Sequence, residues 1–273
     1  MKHSMITAAI ASTLVWSAAA QTAPPAAAAA PARAPRTADG HPDFSGVWWP
    51  GQDIGGRPAG GAAAGGGRGA GRGPGRGPAP VTFSSLYNSA AQAKAKTMGD
   101  KDDPSLDCTS TAFGTLNVSL FDVGAVGQIV QTPKFLIMLT ETYNGFQIIP
   151  IDGRPHRDNV PPSNRGDAVG HWDGDTLVVD KTNFNDTSWI SAEGRISFHS
   201  DAMHVVERYR RVDANTLEIE ATVEDPQVLT KPWIVPKQTL HLAPFDQIME
   251  LGCSSSEVKA LIDAAAEQSS KKN

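Results

Sequence analysis

The sequence predicts an all-β fold: an antiparallel meander closed or nearly closed into a barrel, with short flanking helices. Three observations carry this expectation. Between Phe121 and Gly252, short apolar or β-branched runs recur at regular spacing, with turn residues between them. Asp173-Gly174, midway between His171 and Asp180, is the strongest kind of short-range hairpin signal. Long helical periods alternating with the strands, which would indicate a parallel sheet, are absent from this region.

Taken in chain order, residues 1–20 read as a secretory signal. Lys2 and His3 begin it, Met5 to Trp16 is apolar, and Ala18-Ala19-Ala20 offers small residues for cleavage near Ala20. The apolar run is shorter than the roughly 20 residues a spanning helix needs, so no integral membrane segment is predicted. Periplasmic or secreted localisation follows. Residues 21–42 form an Ala/Pro-rich tether and residues 51–80 a Gly/Arg/Pro-rich insertion. Both bury too little apolar surface to offset ordering entropy, and both are expected to be disordered. Between them, residues 43–50 contain Phe44, Val47, Trp48 and Trp49, a strand-like piece expected to dock on the main domain. Residues 81–253 make up the barrel domain, and 254–273 a C-terminal helix and tail.

Within the domain, Ser84 to Thr97 favours helix. Ile129–Thr132 meets Phe135–Thr142 across Pro133-Lys134. Gly145–Pro150 is a strand, and His171 to Asp180 two strand halves. Val205–Val212 meets Thr216–Val223 across Asp213-Ala214-Asn215. Ile234–Leu242 and Ile248–Gly252 complete the series. A terminal helix is expected over Glu257–Gln268, capped by Ser255 or Ser256.

Charge limits the partners. The chain carries −5, and residues 81–273 hold 17 basic against 26 acidic side chains. An acidic body repels phosphate backbones, so no nucleic-acid partner is predicted despite the Arg/Gly tract. Two cysteines, Cys108 and Cys253, would pair as a disulfide in an oxidising compartment; two buried thiols are the alternative. There is no nucleophile elbow, phosphate loop, dinucleotide fingerprint or haem-attachment motif.

Gly166-Asp167-Ala168-Val169-Gly170-His171-Trp172-Asp173-Gly174-Asp175-Thr176-Leu177-Val178-Val179 and His204-Val205-Val206-Glu207-Arg208 resemble the motifs of a large family of exported, uncharacterised bacterial proteins. Ile148-Ile149-Pro150 with Asp152-Gly153-Arg154-Pro155-His156 is similar too, as is Thr222-Val223-Glu224-Asp225-Pro226 with Thr230-Lys231-Pro232-Trp233. The resemblance covers about residues 84–253. It implies a bacterial periplasmic protein and supplies no catalytic roles. Relatives often read Glu-x-x-His before Ile-Ile-Pro, whereas here Glu141 precedes Thr142, Tyr143 and Asn144.

Strand alternation nominates the chemistry. Phe135, Ile137, Leu139 and Glu141 share one face of their strand, and Met203, Val205, Glu207 and Tyr209 share one face of theirs. If both faces turn inward, Glu141 and Glu207 enter a low-dielectric interior, where burial disfavours their charged forms. The structural alternative pairs each Glu with Arg154, Arg195, Arg208 or Arg210. A bulge could instead turn His204, Val206, Arg208 and Arg210 inward. Candidate acid–base residues are Glu141, Glu207, His156, His199 and His204. Tyr143, Arg154, Trp172, Trp189 and Tyr209 are candidates to line a ligand pocket, with packing in the core as the alternative for the aromatic groups. No cofactor is predicted. A divalent metal held by His156, His199 and His204 is disfavoured, because the His199–His204 spacing suits neither a helix nor one strand face. Calcium at Asp173, Asp175, Asp180 and Asp186 is disfavoured because Gly174-Asp175 is turn chemistry.

The leading expectation is a lipocalin-like barrel binding a small, largely apolar molecule, with a cofactor-free acid–base lyase or isomerase as its catalytic version. The alternative is a non-catalytic periplasmic ligand-binding or envelope-interaction protein.

Overall fold

The computed structural model describes residues 32–51, 81–112, 126–141, 145–190, 196–250 and 253–254. Among them, nine strands form one antiparallel sheet: β1 Gly46–Trp49, β2 Gly127–Gln131, β3 Phe135–Thr140, β4 Gly145–Pro150, β5 Asp167–Asp173, β6 Thr176–Thr182, β7 His204–Arg211, β8 Thr216–Glu224 and β9 Trp233–Leu242. The order is β4-β3-β2-β1-β9-β8-β7-β6-β5, so every strand but β4 and β5 pairs with each of its neighbours in sequence, and β1 also pairs with β9. The sheet curls into a nearly closed barrel. An odd number of alternating strands leaves β4 and β5 running the same way at the seam. There Gly153 N–H donates to Gly170 O (3.1 Å) and Gln147 Nε2 donates to Arg165 O (3.1 Å).

Local chemistry fixes the hairpins. Gly174 takes φ +60° in the turn between β5 and β6, a left-handed conformation open to glycine. Thr132 Oγ1 accepts from Phe135 N–H (2.9 Å) between β2 and β3, and Asp213 Oδ1 accepts from Asn215 N–H (2.7 Å) between β7 and β8. These tight turns sit at one end of the barrel. Strand direction puts the other connections, most of them longer, at the opposite end: β1 to β2, β3 to β4, β6 to β7 and β8 to β9, with the β4-to-β5 crossover arriving there.

The long-connection end is packed. Phe83, Tyr87, Trp189, Phe198, Leu229 and Trp233 join one continuous core with the barrel interior. Tyr87 O–H donates to Phe198 O (2.7 Å), and Trp233 Nε1 donates to Val81 O (2.9 Å). A disulfide joins Cys108 to Cys253, with Cα atoms 5.7 Å apart. The tight-turn end carries the N-terminal arm. Arg36 pairs with Asp175 (2.5 Å), and Arg211 donates to the Asp43 carbonyl with its guanidinium 4.9 Å from the Trp48 ring.

Three expectations need correction. The helix expected from Ser84 is broken: a 3₁₀ turn, Ser84–Leu86, precedes helix α1, Ser89–Ala95. Asn88 accepts from Ala91 N–H (2.9 Å) and caps α1 there, so the helix begins later. Residues 248–250 of the last expected strand are not in a strand. The β3 face is inverted: Leu136, Met138 and Thr140 are buried inward, while Phe135, Ile137 and Leu139 are only partly buried. Both phases of β3 are apolar, so alternation cannot choose between them. In β7 one phase is charged and the other mostly apolar, and Val205, Glu207 and Tyr209 are buried. The expected terminal helix, Tyr143 and Arg195 lie outside the described residues.

Candidate ligand site in the barrel interior

The interior site is built by two neighbouring strands. Val179 of β6 lies opposite Glu207 of β7, and Lys181 opposite Val205. Leu177, Val179 and Lys181 therefore share the inward phase, and Lys181 sits one diagonal step from Glu207. Its Nζ lies 2.8 Å from Glu207 Oε2. Tyr209, two residues along the same face, donates its hydroxyl to that same oxygen (2.5 Å). Lys181, Glu207 and Tyr209 are 3, 0 and 1% exposed.

This arrangement is lopsided. Glu207 Oε2 receives both the ammonium and the phenol, while Oε1 is buried without a hydrogen-bond partner. A buried acceptor left unpaired costs about 1–3 kcal/mol, so its presence calls for an explanation. Burial, then the Glu207 charge, then the hydrogen bond it donates, raise the Tyr209 pKa well above the ordinary phenol value. Tyr209 is therefore a donor throughout the neutral range. On the facing wall, Met138 Sδ of β3 lies 4.0 Å from the Tyr209 hydroxyl.

Glu141 is elsewhere. It follows the last residue of β3, is buried, and accepts from Met249 N–H (2.7 Å), tying the C-terminal segment to the barrel rim.

The histidines divide into two settings. His156 and His204 belong to a row of ionisable groups across the outer ends of β5 to β8. His156 bridges Asp167 (Nδ1, 2.9 Å) and Asp180 (Nε2, 2.9 Å); His204 Nε2 lies 3.0 Å from Asp180 and its Nδ1 3.4 Å from Glu224. Arg157 completes the row at Asp167 (2.6 Å). Both nitrogens of each ring face carboxylates, an arrangement that favours imidazolium. Burial opposes that charge, but the hydrogen bonds and charges of Asp180 and Asp167 outweigh it at His156, and those of Asp180 and Glu224 at His204, so both pKa values are raised. Burial of Asp167 and Asp180 is likewise outweighed, by His156 and Arg157 at the first and by both histidines at the second, and both are lowered.

His199 is buried in the loop from β6 to β7. Its Nδ1 donates to Ser200 O (2.9 Å), which leaves Nε2 to accept from Ser188 Oγ (3.2 Å). Burial, opposed by the Ser200 carbonyl and the charges of Asp225 and Asp186, lowers its pKa and keeps it neutral. Among the described residues, no three His, Cys, Asp or Glu side chains form a group that could hold a metal.

The remaining aromatic and basic candidates are dispersed. Trp172 is stacked by His41 at 4.3 Å beside Phe44, at the tight-turn end. Trp189 is buried and bridges to Phe198. Arg154 pairs on the surface with Asp152 (2.6 Å). Of the residues singled out from the sequence, Glu207 and Tyr209 meet in the interior, and His156 and His204 share Asp180 on the outer row. Lys181 was not among them, although its phase with Leu177 and Val179 was a usable signal.

The fold and this interior define a nearly closed, nine-stranded antiparallel β-barrel with an ion pair and a phenol sealed in its core. No family model, curated protein or solved structure matches the chain. Among the described residues, no helix is long and apolar enough to cross a membrane.

Proposed function

We propose that this barrel binds a small, largely apolar molecule in its interior, held by a donor group that hydrogen-bonds Glu207 Oε1. The observation that carries the reading is that buried, partnerless carboxylate oxygen beside a pair, Lys181 and Tyr209, that fixes the other one. A carboxylate held on one side and open on the other is pre-organised for a ligand donor, and the apolar wall from Leu136, Met138, Val179 and Val205 suits an apolar body. The motif resemblance, the apolar run after Lys2 and the Cys108–Cys253 disulfide support an exported, periplasmic protein.

Mass spectrometry of small molecules retained by the natively purified protein tests this. Wild type should carry a molecule with at least one hydrogen-bond donor, and Glu207→Gln should lose most of it. A wild-type protein without any retained molecule, or equal retention by the variant, contradicts the assignment.

A catalytic version has its own support. Glu207 Oε1 is free to take a proton from a ligand while Lys181 and Tyr209 hold Oε2, the division of labour an acid–base lyase or isomerase needs. In that version Glu207→Gln abolishes turnover as well as weakening binding by up to about tenfold, because an amide keeps the shape and loses the base. The role of the outer His156 and His204 is then electrostatic, at a distance from the reacting atoms.

A further inference from the structure

Arg165, the residue two before β5, carries a second unexplained atom. Among the described residues, buried side-chain nitrogens and oxygens without a hydrogen-bond partner are Glu207 Oε1 and Arg165 Nη1. They are opposite in character, an acceptor and a charged donor. The Arg165 guanidinium lies over Gly145 and beside Thr140, at the seam where β4 and β5 meet without a full ladder. A Cβ on Gly145 would collide with Arg165 Nη2 and stand 2.6 Å from Thr140 Oγ1, so glycine there is what admits the guanidinium. Among the described residues no carboxylate faces it. Burial lowers its pKa, and among the described residues no ion pair opposes that shift. The side chain keeps part of its surface in water while Nη1 is buried without an acceptor, and a planar guanidinium so placed is suited to a carboxylate.

The position relates this group to the interior site. Thr140 and Met138 are two residues apart on the inward face of β3, roughly 7 Å along the strand. Met138 touches the Tyr209 hydroxyl that bonds Glu207. Arg165 thus stands at the rim of the same wall, on the long-connection side.

We infer that Arg165 forms an anion-binding site at the β4–β5 seam and that the barrel's ligand is a carboxylic acid. Its carboxylate is held by the guanidinium, its apolar body lies inward and a donor reaches Glu207. The last two features rest on the reading above; the anion site has a test of its own.

That test uses acetate as the probe, with sodium chloride holding ionic strength constant. Acetate should raise the melting temperature of wild type saturably, and should perturb the Arg165 side-chain Nε–H resonance, identified by its loss in Arg165→Met. Arg165→Met should melt at or above the wild-type temperature in acetate-free buffer, since it removes an uncompensated charge, and its apparent acetate affinity should fall by about tenfold or more. Gly145→Ala, which keeps the charge and displaces it, should weaken the response as well. Glu207→Gln should leave it intact.

An equal acetate response in wild type and Arg165→Met means an adventitious ion only and overturns the site, as does no response in wild type. Should Arg165→Met fail to fold, Gly145→Ala decides the matter: a weakened acetate response supports the site, and a response equal to that of wild type overturns it. In every case the Glu207 reading stands or falls separately, on the molecules retained by wild type and Glu207→Gln.

Discussion

Lys181 Nζ and Glu207 Oε2 stand 2.8 Å apart inside the barrel, both nearly inaccessible to solvent, and the Tyr209 hydroxyl closes on the same oxygen. An ion pair so placed is weak evidence of stability, because desolvating two charges cancels much of their attraction. Its asymmetry is more informative. Two donors on one oxygen and none on the other leave a fixed acceptor.

Breaking the pair should be costly. Lys181→Met strands a buried carboxylate and should destabilise the protein by about 3–5 kcal/mol in urea denaturation. Adding Glu207→Leu should recover most of that loss, since the double variant buries hydrocarbon in place of an unpaired charge. A single variant within about 1 kcal/mol of wild type would show that the pair is not buried in solution.

Tyr209→Phe removes only the hydroxyl. A hydrogen bond to a charged group contributes about 1.5–3 kcal/mol, and a loss in that range is expected. Calorimetry of the variant checks it; an unchanged melting temperature contradicts the contact.

The outer row should impose a pH optimum. His156 and His204 have raised folded-state pKa values, so their contribution is complete below the ordinary histidine value of about 6.5 and is lost as pH rises through the raised values. Asp167 and Asp180 have lowered values, so theirs is complete above the ordinary aspartate value of about 3.9 and is lost as pH falls through the lowered ones. The row stabilises most in the mildly acidic window between. Urea midpoints of wild type and a His156→Gln, His204→Gln double variant should differ more at mildly acidic than at alkaline pH. A gap that widens on going alkaline contradicts the sign.

The disulfide spans 145 residues of sequence. Chain-entropy reasoning gives at most about 4–5 kcal/mol for such a closure. Cys108→Ser with Cys253→Ser should lower stability by an amount up to that size, and a reductant should shift wild type by the same amount while leaving the variant unmoved.

How far the sequence revealed this molecule follows from its local contrasts. The Asp173-Gly174 turn set the β5–β6 hairpin, and the charged-versus-apolar phases of Val205 to Arg210 correctly turned Glu207 and Tyr209 inward. The uniformly apolar Phe135–Leu139 offers no contrast, so alternation does not identify the inward face of β3; Glu141, past the strand end, is buried all the same but at the rim. Arg was the expected partner of Glu207; the partner is Lys181, because β6 lies beside β7 and register, a non-local property, brings the two together. The His156–Asp180–His204 row spans three separate segments. Arg165 is a loop residue without periodicity, and its significance comes from Gly145 across the seam.

The most direct measurement is a carbon-13 spectrum of protein labelled at the glutamate δ-carbons, with the Glu207 signal assigned by its loss in Glu207→Gln. Stripping retained small molecules with a hydrophobic resin should shift that signal and restoring them should return it, while the other carboxyl signals stay in place. A Glu207 signal indifferent to stripping, in protein shown to have carried a bound molecule, would contradict a ligand at Oε1.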